Sequence, residues 1–263
     1  MSEKRQGSEL LSSIADLYRV FDMYQRWTYH GVFSISSTLF KRDLHELSCM
    51  DLQEVVHESW IGKMSLRTFK RFLPRVFELV AGPSSLPWDR DIAFKRLASD
   101  IHDRQGGKGP RGRGFNWREW PEAERNAVNR FALAWWSDVL SRYPSDDVTA
   151  NGCLVSIGQA WDDMSELLDI WRRSKAVSAQ CHLVEFIEWN YSSIMEKSCL
   201  MDCFWDGRPK QMQQVIKWIL SAETSIQLEA ISSRVDSILD DETLSANAAI
   251  EHLLQLQKSL GHG

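Results

Sequence analysis

Apolar side chains recur at three- and four-residue steps along almost the whole chain, the spacing of one buried face of an α-helix. Leu10, Leu11, Ile14, Leu17, Tyr18 and Phe21 form the first such stripe, with Ser8 placed to cap its N-terminus. The second, Leu52, Val55, Val56, Trp60 and Ile61, starts after Ser48 and ends at Gly62. Ser65 caps a third, carrying Phe69, Phe72, Leu73, Val76, Phe77 and Val80. Pro74 falls inside that pattern, which predicts either a kink or a restart with Pro74 in the first turn. Pro83 and Pro87 close the segment, and Asp89 or Asp91 opens a shorter helix with Ile92, Leu97 and Ile101.

A long helix is entered through Pro121, with Glu122 and Glu124 in its first turn, where acids suit the positive end of the helix dipole. Its stripe is Val128, Phe131, Ala132, Trp135, Val139 and Leu140, and Pro144 stops it. Further helices are predicted over 149–158, 160–173, 178–196, 209–220, 223–238 and 243–260. Alternating strand patterns are nearly absent, and 32–39 is the one stretch that fits a short strand. The expectation is an all-α fold of about ten helices, an irregular multi-helix bundle or a short α-solenoid. No internal repeat of 34 to 47 residues supports the solenoid.

Residues 102–116 break the helical pattern with five glycines and a proline. The expected organisation is an N-terminal helical lobe over 1–101, a Gly/Arg-rich linker over 102–116 and a C-terminal helical lobe over 117–263, unless the chain forms one continuous domain.

Composition is that of an ordinary globular protein, 43% hydrophobic and 25% charged, which argues against disorder. Twelve tryptophans stand out, and spread over the whole chain they read first as core and inter-helix packing residues. No apolar run approaches a membrane span, no secretory leader is visible, and the five cysteines suit reduced thiols. A cytoplasmic protein with no membrane partner is expected. Net charge is −5, yet residues 1–113 carry 18 basic and 14 acidic side chains. Any binding to an anionic partner is therefore expected in the N-terminal part.

The run Phe72-Leu73-Pro74-Arg75-Val76-Phe77-Glu78-Leu79 resembles a functionally uncharacterised group of bacterial proteins whose helix core reads Phe-Leu-Pro-Arg-x-x-Glu-Leu. The similarity extends to Asp43-Leu44 through Leu52, to the Glu124–Trp136 helix and to Cys181-His182-Leu183-Val184-Glu185-Phe186. It implies an all-helical fold and no activity. Relatives in the group carry a cysteine cluster near the position of Ser34, Ser36 and Ser37, so a thiolate metal site of that kind would be missing here.

Three constellations bear on chemistry. Lys63, Arg67, Lys70, Arg71 and Arg75 lie on or beside one helix, and Arg104, Lys108, Arg111, Arg113 and Arg118 populate the Gly-rich segment and its exit. These residues read as a solvated helix face with a soluble loop, or as a surface for nucleic acid or an acidic protein. In the nucleic-acid case Phe115, Trp117 and Trp120 would stack on bases. A metal site could draw on His182, Glu185, Cys199 and Cys203, with Cys181 and Glu188 beside them, and more remotely on His45 and Cys49. Against it, no Cys-x-x-Cys occurs, and helical cysteines usually pack as small apolar groups. Asp162, Asp163, Glu166 and Asp169 could hold a divalent cation, or simply decorate the start of a helix.

Gly106-Gly107-Lys108-Gly109 lacks the spacing and preceding strand of a phosphate-binding loop, and Gly152-Cys153-Leu154-Val155-Ser156-Ile157-Gly158 lacks those of a nucleophile turn. No catalytic residues and no cofactor are assigned. The leading expectation is a non-catalytic helical interaction protein with a protein partner. A nucleic-acid-binding module using the basic helix and loop is the alternative, and a metal-dependent enzyme comes third.

Overall fold

The computed structural model describes residues 3–26, 36–60, 64–82, 90–98, 115–144, 148–202, 205, 207–230, 235, 238–239 and 245–260. It is 78% helical, and among the described residues there are eleven α-helices and no strands. Of the expected strand stretch only 36–39 is described, and Leu39 there begins a 3₁₀ turn. No described helix is long and apolar enough to cross a membrane.

The chain divides into two compact units, 1–135 and 136–263. Unit 1 holds α1 (Glu3–Gln25), α2 (Cys49–Trp60), α3 (Leu66–Ala81), α4 (Arg90–Lys95) and most of α5 (Glu122–Ser141). The division falls within α5. Ser8 lies inside α1 rather than at its start.

Ser48 and Asp51 form a reciprocal cap at the start of α2. The Ser48 N–H donates to Asp51 Oδ2 at 2.8 Å, and the Asp51 N–H donates to Ser48 Oγ at 3.2 Å. With Arg42 also donating to it, the Asp51 carboxyl is pushed down to about 2.

Helix α3 is the axis of unit 1 and packs on α1, α2 and α4. Ser65 Oγ accepts the Thr68 N–H at 3.1 Å, as an N-cap should. The helix runs unbroken through Pro74, so the alternative of a restart at that residue is not what forms. Phe77 stacks between Phe94 and Phe131 at 4.8 and 4.7 Å, and Trp135 continues the stack from Phe94 at 5.5 Å. This aromatic column joins α3, α4 and α5.

The described residues on either side of the Gly/Arg-rich segment meet within unit 1. The N–H groups of Phe115, Asn116 and Trp117 donate to the carbonyls of Arg96, Ala98 and Leu97 at 2.8, 3.1 and 3.0 Å. Asn116 takes a left-handed conformation (φ 40°), which asparagine tolerates better than most residues. Both flanks, 96–98 and 115–117, lie in unit 1 and are hydrogen-bonded to each other. Residues 99–114 themselves lie outside the described residues.

Unit 2 holds the end of α5 with α6 (Ala150–Gly158), α7 (Ser165–Arg173), α8 (Val177–Lys197), α9 (Pro209–Ile219), α10 (Ala222–Glu229) and α11 (Ala246–Leu260). Helix α7 starts five residues later than the periodicity predicts, because Asp163 Oδ1 accepts the Ser165 N–H at 3.0 Å and fixes the entry there. Trp171 is at the centre of the core, with Trp136, Phe186 and Trp218 at 5.2, 5.6 and 5.1 Å. The indole N–H groups of Trp171 and Trp136 donate to the carbonyls of Ala179 and Leu167, each at 2.8 Å. Gly158 lets α6 approach the Trp205 ring so closely that an added Cβ would lie 3.0 Å from it. Helix α11 packs on α8 and α10.

Because residues 96–98 and 115–117 are joined by backbone hydrogen bonds, replacing residues 99–114 with a short Gly/Ser sequence should leave the fold intact. Loop length enters stability only logarithmically, so the melting temperature should move by no more than about 3 °C. Loss of cooperative unfolding in a thermal melt would show that the segment carries the unit.

Candidate functional site

The basic residues predicted on α3 are the natural starting point, and the structure turns most of them inward. Lys70 and Arg71 are each 4% exposed. Lys70 Nζ lies 2.5 Å from Glu124 Oε2 and 4.3 Å from the centre of the Trp120 ring. The other oxygen of Glu124 accepts the Tyr24 hydroxyl at 2.7 Å. One buried ion pair thus ties α3 to α5, and Tyr24 brings in α1. Glu124, expected as a first-turn acid that suits the helix dipole, is the counter-ion of a buried lysine.

Arg71 uses its charge on backbone. It donates to the carbonyls of Gln25 and of Phe40, the latter at 2.9 Å, with its guanidinium 5.3 Å from the Phe40 ring. These contacts tether the end of α1 and the 3₁₀ turn at Leu39–Lys41 to α3. Arg75 donates through Nε to the Leu47 carbonyl and through Nη1 to Glu78 Oε2, both at 2.7 Å. Glu78 Oε2 also accepts the Tyr18 hydroxyl at 2.5 Å, and Tyr18 stacks on His45 at 4.0 Å.

The arrangement is therefore two Tyr–Glu–cation clusters, Tyr24–Glu124–Lys70 and Tyr18–Glu78–Arg75. In each, burial followed by the carboxylate pushes the phenol up. Tyr24 reaches about 12, with Arg67 pulling the other way, and Tyr18 is raised further still.

For the predicted basic surface this is a correction: Lys70 and Arg71 are not available to phosphate, and Arg75 is engaged on both edges. Arg67 and Arg118 are exposed. Lys63, Arg104, Lys108, Arg111 and Arg113 lie outside the described residues. Phe115, Trp117 and Trp120, expected to stack on bases, are partly or wholly buried, and the Trp120 indole N–H donates to the Phe115 carbonyl at 2.9 Å. Arg96, which the sequence did not single out, is buried with its guanidinium 4.6 Å from the Phe115 ring.

The described metal candidates do not converge. Among the described residues no group of three or more His, Cys, Asp or Glu side chains could hold a metal ion. His182 is buried, and its Nε2 lies 2.8 and 3.2 Å from the carbonyls of Arg142 and Val139, so that nitrogen is the protonated one. Its Nδ1 is 3.5 Å from Glu185 Oε2. Glu188 turns instead to His252 Nδ1 at 2.9 Å, and His252 stacks on Tyr191 at 3.9 Å. Cys181 is buried, Cys199 is partly buried with its Sγ 3.9 Å from the Ser193 carbonyl, and Cys203 lies outside the described residues. His45 faces Tyr18.

The acidic series is dispersed too. Asp163 accepts the N–H of Ser165 at the start of α7, Asp169 pairs with Arg172 and Arg173, and Asp162 and Glu166 are exposed.

The tryptophans give the contrast that the sequence could not show. Trp117, Trp120, Trp135, Trp136, Trp161, Trp171, Trp205 and Trp218 are all buried. Trp189, on the outer side of α8, is 61% exposed. Among the described residues no ring partner or hydrogen bond holds it. Nearby, Met201 is also exposed, and its N–H is fixed by Asn190 Oδ1 at 2.9 Å.

Compared with known proteins, the chain matches no family model, no curated protein and no solved structure.

The Tyr24 cluster makes a pH prediction. A phenol ionises near pH 10 in the unfolded chain, so a folded value raised to about 12 contributes stability that is complete below pH 10 and lost as pH rises toward 12. Tyrosinate absorbance from Tyr18 and Tyr24 should appear together with unfolding over that range. Tyr24→Phe should flatten part of the alkaline loss of stability. Full tyrosine titration near pH 10 in a chain that stays folded would contradict the two clusters.

Proposed function

We propose that this chain is a non-catalytic helical interaction protein that docks a protein partner on the outer side of α8, with Trp189 as the anchor. The observation that carries the reading is the contrast among the nine tryptophans whose burial is described: eight are packed away, while Trp189 stands in solvent without a described contact. Tryptophan is the residue type most enriched among interface residues that dominate binding energy, because one side chain buries a large area with few rotors to freeze.

Support also comes from how the ionisable side chains are used. Lys70, Arg71, Arg75, Glu78 and Glu124 hold helices together, His182 fastens α8 to the end of α5, and Asp163 and Asp169 serve α7. These ionisable side chains are committed to holding described elements in place.

The test is affinity capture from native extract at moderate salt with the wild type and Trp189→Ala in parallel. The wild type should retain a stoichiometric partner that the variant loses by at least about tenfold. An exposed substitution should leave stability within about 0.5 kcal/mol. Identical captures by the two proteins would overturn the reading.

A further inference from the structure

Helix α8 changes character along its length. Its first half is enclosed, with Cys181, His182, Leu183, Val184, Phe186 and Ile187 all buried. From Glu185 onward one stripe emerges, Glu185, Trp189, Ser192 and Glu196, at steps of three and four residues, with Ser193 beside it. Ile187, Asn190 and Ile194 remain buried, so the stripe faces outward. Trp189 has a carboxylate one turn before it, Glu185 at 37% side-chain exposure, and another two turns after it, the exposed Glu196. Between them the stripe carries serines, which are too short to cover an indole face.

Charge around this stripe is not balanced by the rest of unit 2. Residues 136–263 carry 10 basic and 19 acidic side chains, whereas residues 1–135 carry 21 and 17. Lys197, exposed at the end of α8, is the cation nearest the stripe in sequence. Glu188, the other acid on this stretch of α8, is engaged by His252.

We propose that the α8 stripe recognises a cationic segment of its partner, with an arginine or lysine side chain laid on the Trp189 indole between Glu185 and Glu196. This rests on the reading of Trp189 as a docking anchor and adds the chemistry of what docks. An indole presents a negative π-face to a cation, and the planar guanidinium of arginine can stack on it while donating to a flanking carboxylate. An apolar partner would leave the exposed Glu196 carboxylate at the rim without a counter-charge. An anionic partner would meet a surface of its own sign.

The full chain, labelled with ¹⁵N, is titrated at low salt with an unstructured Arg/Gly peptide while the indole N–H signals are followed. The Trp189 signal is identified by its loss in Trp189→Phe. It should move saturably while the buried indoles stay in place, and added salt should weaken the response. Glu185→Gln combined with Glu196→Gln should weaken binding about fivefold or more. Glu223→Gln combined with Glu229→Gln, which removes the same charge from α10, should change it less than about twofold.

The proposal is overturned if the Trp189 signal does not move, if a Glu/Gly peptide moves it equally, or if both double variants weaken binding alike. A concentration-dependent dimer that Trp189→Ala abolishes would also overturn it, by assigning the stripe to a second copy of the chain. The two readings separate in the native capture. A partner lost by Trp189→Ala but kept by the Glu185/Glu196 double variant removes the cationic chemistry and leaves the anchor. A partner kept by both variants removes the anchor as well.

Discussion

The buried pair Lys70–Glu124 is the constraint on which unit 1 depends. Removing a lysine and a glutamate from water costs several kcal/mol for each ion, and their attraction offsets that cost only when the geometry and the remaining hydrogen bonds are right. Here Trp120 faces the ammonium and Tyr24 satisfies the second carboxylate oxygen. Each of those groups comes from a different stretch of chain, so the pair can exist only when α1, α3 and the start of α5 are all in place. Arg71 and Arg75 extend the same logic to backbone carbonyls at Phe40 and Leu47. The cations of α3 fix the positions of elements that apolar packing alone would leave free to slide.

Unit 2 reaches a defined core by other means. Trp171 and Trp136 bury large rings and still satisfy their N–H groups on backbone carbonyls, so aromatic bulk and hydrogen-bond direction specify the same arrangement. Glu188, His252 and Tyr191 then register α8 against α11. Once α8 is fastened on these sides, the emergence of Trp189 is a consequence of register: the helix is held by Ile187, Asn190 and Ile194, and the residue between them must point away. The exposed indole is thus presented by a rigid element, which suits a docking anchor.

The helical periodicity made the fold class legible, since stripes such as Phe69–Val80 or Val128–Leu140 are unambiguous at this length. It also placed α6, α8, α9 and the end of α11 within a residue or two. Charge was harder to read. Lys70 and Arg71 share a helix with Arg67, and nothing in a one-dimensional pattern distinguishes a cation facing water from one facing a glutamate more than fifty residues away. The acid that decides the matter for Lys70, Glu124, appears in the sequence as an ordinary first-turn residue. The metal candidates failed for a related reason: the three-residue step from His182 to Glu185 does share a helical face, but His182 is committed to the carbonyls of Val139 and Arg142. Trp189 could not be told from its eight buried counterparts, because a tryptophan on an amphipathic helix is read as core until the neighbouring helices are in place.

The most direct test of the central claim is a double-mutant cycle on Lys70→Met and Glu124→Leu, with unfolding free energies measured in denaturant. Each single change strands a buried charge and should cost about 3–5 kcal/mol, while the double change should recover at least about 2 kcal/mol of their sum. Additive losses, or two small ones, would mean that the pair does not hold α3 to α5 and would contradict the account.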